Sequence, residues 1–247
     1  MSKPMTVARY AKEHRGWFYG CLLLFALVAF FCLKAIYDMT VYGAKAPLYA
    51  LTAGMVGFGA TALGSLPGFY FHKLSDKAED WMLGSSAGMM LAAAIFSLLL
   101  PSIDASEKLF TSELAATLWV LFGVFLGVVF LLIINALTPH EHADQTYEGP
   151  EIEVKSGIWL FVLAIIIHNI PEGLAMGISF SAEDMQIGVP LTIAIALQDF
   201  PEGLAVVLAL CTTNISRGKA VAIGVFSGLM EPVGALFGVS LAGGLGY

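Results

Sequence analysis

Charge is what this sequence has least of. Of its 247 residues only 13% are Asp, Glu, Lys or Arg, about half the share usual in a soluble domain. That leaves too few solvated side chains to cover a water-soluble fold. The net charge of −7 also removes the basic face that a nucleic-acid partner would need. Cysteine is nearly absent. Cys21, Cys32 and Cys211 stand in apolar surroundings at unrelated spacings, with no CxxC pair, which excludes a disulfide framework and a thiolate zinc site. What fills the chain instead is apolar: 58% of residues are hydrophobic and the mean hydropathy is +0.81. The composition is that of one polytopic domain in a lipid bilayer.

A membrane span takes roughly 20 apolar residues. Seven segments qualify: Trp17–Tyr37, Pro47–Phe71, Trp81–Pro101, Leu114–Leu137, Gly157–Phe180, Ile187–Cys211 and Lys219–Gly243. The expected fold class is all-α, a polytopic transmembrane helix bundle. The first segment follows Lys3, Arg9, Lys12 and Arg15, as a signal peptide would, but AIYDMT after it lacks a small-x-small cleavage pattern. It reads as a retained helix, preceded by a cytoplasmic segment at 1–16. The alternation of spans puts nine Lys and Arg residues on the N-terminal side of the membrane and three, Lys34, Lys45 and Lys108, on the other. That bias predicts a cytoplasmic N-terminus and an inner (plasma) membrane location. Glycines four apart at 64 and 68, 84 and 88, and 123 and 127 predict close helix packing.

Ionisable side chains are missing from the first four spans, apart from Lys34 near an end, yet each of the last three carries them near its middle. Such residues cost about 2.5–3.5 kcal/mol apiece at the bilayer centre on insertion scales, so they mark function. His168 and Glu172 lie in one span, Asp199 and Glu202 in the next, and Glu231 in the last. His168 and Glu172 are four apart, as are Gln198 and Glu202, and each pair shares a helix face. Asn169 and Asp199 each fall three before a glutamate, on an adjoining strip. A glutamate flanked on two sides is placed to bridge two cations. Pro171 and Pro201 remove the helical bonds to the carbonyls of Ile167 and Leu197, and Pro232 follows Glu231. Broken helices of this kind line transporter sites.

Four carboxylates, Glu172, Asp199, Glu202 and Glu231, sum to −4 when ionised, which two divalent cations would neutralise. Imidazole nitrogen with amide and carboxylate oxygen suits Zn²⁺, Cd²⁺, Fe²⁺ or Mn²⁺. Met90, Ser97 and Asp104 are seven apart, hence expected on one face. Met90 would add a soft ligand near mid-span, and Ser97 and Asp104 would mark an outer pathway. The longest polar loop, TPHEHADQTYEGPEIEVK at 138–155, pairs His140 and His142 with five acids, a set suited to handling metal on the cytoplasmic side. The alternative to transport is an intramembrane metalloenzyme in which bound metal activates water. Against it stand the missing HExxH pattern and the missing nucleophile beside a base. No catalytic residue and no resident cofactor are expected.

HNIPEG at 168–173 and QDFPEG at 198–203 resemble the paired helix motifs of the ZIP (Zrt/Irt-like) family of divalent metal transporters, in their bacterial form. WLFVLAII before the first motif and SGLMEP at 227–232 are similar too, and the likeness runs from about Leu51 to the last residue. The resemblance implies a binuclear metal site. One position would use His168, Glu172, Gln198 and Glu202 with Met90; the other would use Asn169, Asp199 and Glu231, with Glu172 and Glu202 shared. It also implies metal movement into the cytoplasm and an eight-helix core with an inverted repeat, beginning near residue 47. The span at 17–37 would then be an extra N-terminal helix, and two further helices would follow the SGLMEP span, so that 47–247 reads as a C-terminally incomplete transporter domain. The partners implied are divalent metal ions and the bilayer, with a homodimer allowed for.

Overall fold

The computed structural model describes residues 15–71, 75–107, 109–137, 140–141, 147–148, 157–211 and 215–244. Nearly every regular element is helical, since only a helix or a closed barrel satisfies its backbone in lipid. In chain order the helices are α1 (Arg15–Val41), α2 (Lys45–Ser65), α3 (Asp76–Ala92), α4 (Leu100–Glu107), α5 (Glu113–Leu137), α6 (Gly157–Ser179), α7 (Met185–Cys211), α8 (Arg217–Ser227) and α9 (Met230–Gly244). A 3₁₀ turn (Leu66–Phe69) extends α2, and a π-helical stretch (Ala93–Leu99) joins α3 to α4. Two short strands, β1 (His140–Glu141) and β2 (Tyr147–Glu148), pair antiparallel with His140 opposite Glu148. His142 and most of the 138–155 loop lie outside the described residues. Six stretches among the described residues are long and apolar enough to cross a membrane. With α6, at 23 residues, they make up the seven expected.

The chain sorts into two compact units: Ala29–Pro101 with Ile165–Tyr247, and Met1–Val28 with Ser102–Ala164. The first holds every residue expected to meet metal inside the membrane, and its organiser is α2. Gly54, Gly57, Thr61, Gly64 and Ser65 recur at spacings of three or four and are all buried, so α2 presents a flat stripe of small residues. Lipid tails are as apolar as leucine, so close backbone approach has to supply the packing energy. α2 packs most extensively on α7 and next on α9. A side chain at Gly64 would collide with the Phe200 carbonyl, and one at Gly203 with the Thr61 carbonyl. The Ser65 hydroxyl, donating to Thr61 O at 2.8 Å, fills the space beside Gly203 and Gly224.

The crossing of α6 over α9 is built the same way from both sides. Gly173 and Gly177 face the backbone of Glu231 and Ala235, while Gly234 and Gly238 face that of Ile170 and Leu174. The last part of α1 closes the other side of α9, with Ala35 packed among Ala235, Leu236 and Val239. Between α1 and α2, Gly43 adopts φ +66°, and the Ala44 N–H donates back to Asp38 O at 3.1 Å. A β-carbon there would be strained.

Two features differ from the regular helices expected. The span at Lys219–Gly243 is two helices, α8 and α9, parted at Gly228 and Leu229. Pro232 has no N–H for Gly228 O, and the Glu231 N–H takes that carbonyl instead at 3.1 Å. Glu231 therefore sits in the first turn of α9. Pro171 and Pro201, by contrast, lie inside helices that continue past them. The second difference is the π stretch, which contains Ser97 and separates Met90 from Asp104. A π turn takes more residues than an α turn, so a seven-residue spacing no longer returns to one face. The one-face reading of Met90, Ser97 and Asp104 loses its premise.

Candidate metal centre

The centre is assembled from three helices of the first unit. The turn 180–184 joins α6 to α7 as a tight hairpin, with the Asp184 carboxylate accepting from Gln186 N at 2.8 Å. A short connection makes the two helices antiparallel neighbours. His168 and Glu172 on α6 thereby meet Gln198 and Glu202 on α7. His168 Nε2 is 3.9 Å from Glu172 Oε1 and 3.9 Å from Glu202 Oε1. One ligand atom from each of the three can be chosen so that all lie within 4.8 Å of one another, the spread a single bound cation would draw together. The His168 side chain is half exposed, whereas Glu172 is 8% exposed, so the trio is open on the imidazole side and closed on the carboxylate side.

Gln198 ties this trio to the next group. Its amide Nε2 donates to Glu172 Oε1 and, at 3.1 Å, to Asp199 Oδ1, while its own Oε1 accepts nothing. The amide thus bridges two carboxylates. Half a turn about its last torsion exchanges donor for acceptor and would present Oε1 to a cation in the same place.

Deeper in the bundle lie Asn169, Asp199 and Glu231, each at most 2% exposed. Glu231 Oε1 accepts from the Thr61 hydroxyl of α2 at 2.7 Å. Glu172, Asp199, Glu202 and Glu231 are near enough for their charges to act on one another, and ionised together they repel. Among the described residues, six buried side-chain polar atoms have no hydrogen-bond partner. Five are Asn169 Oδ1, Glu172 Oε2, Gln198 Oε1, Asp199 Oδ2 and Glu231 Oε2; the sixth is Ser240 Oγ. Native folds leave few such atoms, because each carries its full desolvation cost. Five acceptors clustered without donors are what a cation would satisfy.

The remaining expected residues fall elsewhere. The side chains of Met90 and Ser97 are outside the described part of the structure, and Asp104 is exposed in the other compact unit. Thr61 and Gly57 were not legible as part of the centre. Thr61 is an uncharged residue in an apolar span, and Gly57, whose missing side chain leaves room for Glu231 Oε2, looks like any packing glycine.

Residues 136–245 match the family model for the ZIP zinc transporter. The chain is 50% identical over 196 residues to the zinc transporter ZIPB of Bordetella bronchiseptica, covering 79% of this chain and 63% of that protein. It is 39% identical over 189 residues to the zinc transporter GufA of Myxococcus xanthus, covering 76% and 74%. It is 34% identical over 205 residues to the zinc transporter ZupT of Chlorobaculum parvum, covering 78% and 75%. The chain thus spans less than two thirds of the Bordetella protein and about three quarters of the other two. Both Pro-Glu-Gly motifs and Glu231 fall inside the matched region, and the chain belongs to the ZIP zinc transporter family.

Proposed function

We propose that this chain binds zinc within the membrane and passes it into the cytoplasm through a binuclear site. The observation that carries the reading is the set of five buried oxygens without donors, all on residues of α6, α7 and α9. Four carboxylates near one another are stable as anions only beside positive charge, and no lysine or arginine occurs in those helices between residues 157 and 211 or between 230 and 244. Two divalent ions supply the charge that is missing. One is held by His168, Glu172, Gln198 and Glu202, with Met90 as a further donor. The other is held by Asn169, Asp199 and Glu231, and Glu172 and Glu202 serve both. The half-exposed imidazole is the natural point of entry to or exit from the pair, since it is more exposed than the carboxylates Glu172 and Glu202 beside it. The relatives named above are zinc transporters, which favours zinc among the ions this donor set suits; Cd²⁺, Fe²⁺ and Mn²⁺ are the competitors to test. The family is one of transporters, which removes the metalloenzyme alternative. The excess of Lys and Arg on the N-terminal side supports a cytoplasmic N-terminus, and the inward direction is what the family resemblance implies.

Zinc flux into liposomes holding the chain is the test. The double variant Glu172→Ala, Glu202→Ala is expected to fall to the level of empty liposomes. Flux equal to the unmodified chain would overturn the reading.

A further inference from the structure

We propose that Thr61 is a positioning residue for Glu231: its hydroxyl fixes one carboxylate oxygen so that the other is presented to metal. The proposal rests on the zinc-binding reading above. A threonine inside a helix ordinarily returns its proton to the carbonyl one turn back. Here that carbonyl, Gly57 O, is 3.3 Å from Thr61 Oγ1, whereas Glu231 Oε1 is at 2.7 Å. The hydroxyl has one proton, and the shorter, charge-assisted bond takes it. Ser65, one turn further along α2, behaves ordinarily and donates to Thr61 O at 2.8 Å. The departure is specific to Thr61.

The surroundings of Glu231 act toward the same end. The residue is wholly buried, and its backbone is wedged between Gly54 of α2 and Gly173 of α6. A β-carbon at Gly57 would overlap Glu231 Oε2, and one at Gly228 would come within 3.2 Å of Oε1. Glycine at both places leaves room for the carboxylate, and the hydroxyl chooses its orientation. Among the described residues Oε2 then has no donor, and it keeps its lone pairs for a cation. A carboxylate already oriented loses less conformational freedom when metal arrives. Thr61 itself need not touch the ion.

The test is zinc titration of the detergent-solubilised chain, in a cycle with Glu231. Thr61→Val keeps the shape and removes the hydroxyl, and is expected to weaken the Glu231-dependent zinc position about tenfold, as loss of one bond to a charged group does. Thr61→Ser restores the hydroxyl and is expected to return affinity to within roughly twofold of the unmodified chain. In a Glu231→Gln background, zinc still binds around His168, and Thr61→Val is expected to change nothing more. Unaltered binding in Thr61→Val, an equal loss in the Glu231→Gln background, or no rescue by serine would each overturn the proposal. An unmodified chain that binds zinc but passes none sinks the transport reading and leaves the Thr61 result standing. One that binds no zinc sinks both.

Discussion

The glycine pairs of α6 and α9 and the glycine pair of α5 have the same spacing and opposite surroundings. Gly173, Gly177, Gly234 and Gly238 each lie against the backbone of the opposing helix. Gly123 and Gly127 meet nothing within 4 Å among the described residues, and α5 is flanked there by exposed Leu118, Phe122, Phe125 and Leu126. The difference is the polar centre. Where carboxylates must be gathered out of lipid, helices are drawn within backbone distance and only glycine fits. On α5, which carries no polar load, the same spacing meets no neighbour among the described residues. Small residues four apart permit close approach without naming a partner.

The sharpest way to break this comparison is to put one side chain into both settings. Gly173→Leu drives a branched side chain into the Glu231 backbone, which cannot give way. It is expected to cost at least the upper end of about 1–3 kcal/mol, seen as a lower melting midpoint in detergent. Gly123→Leu on α5 is expected to leave the midpoint where it was. The next effect comes from metal. Zinc at about a hundred times its dissociation constant should stabilise the chain by about 2.7 kcal/mol, and chelation should reverse it. Amide exchange should slow in α6, α7 and α9 and stay unchanged in α5, and the zinc response should vanish in the Glu172→Ala, Glu202→Ala variant. Smaller again is Gly57→Ala. Its β-carbon meets the far end of the Glu231 side chain, which can turn, so the fold should survive while zinc affinity falls about tenfold. Unchanged affinity would mean that Glu231 holds its carboxylate without that space.

Helix positions were readily legible, because apolar windows in lipid leave one local solution. The expected Ile187–Cys211 is Met185–Cys211, and the expected Leu114–Leu137 is Glu113–Leu137. The acids of the centre were legible for the converse reason: Glu172, Asp199, Glu202 and Glu231 stand out where charge is expensive. Less legible was anything set by partners. Pro171 and Pro201 sit in unbroken helices while the chain breaks before Pro232, and no local rule separates the three. The π stretch at Ala93–Leu99 has no signature in AAIFSLL, and it takes Met90 and Asp104 out of the register that a seven-residue spacing implies. Thr61 carries no charge, so its role appears only once α9 delivers Glu231 to it. Of the three glycine pairs singled out, only Gly64 and Gly68 meet a neighbour among the described residues. Gly173 is the last residue of HNIPEG and Gly177 follows four residues on, where the polar residues of the motif mask a packing pair.

The smallest effect tests the open half of the comparison and runs the other way. A glycine inside a helix is less favourable than alanine by roughly 0.5–1 kcal/mol, because it loses more backbone freedom on ordering. That cost is offset in α6 and α9 by close packing. At Gly123 and Gly127 nothing in the described structure offsets it. Gly123→Ala and Gly127→Ala should therefore each raise the melting midpoint slightly, the gain from either being on the order of half a kcal/mol. Zinc affinity should stay the same. A fall in stability would mean that another helix lies on this face in the membrane, and that glycine at four-residue spacing is used on α5 as it is on α6. Crosslinking between cysteines introduced at those two positions would then identify a second copy of the chain as that helix, or exclude it.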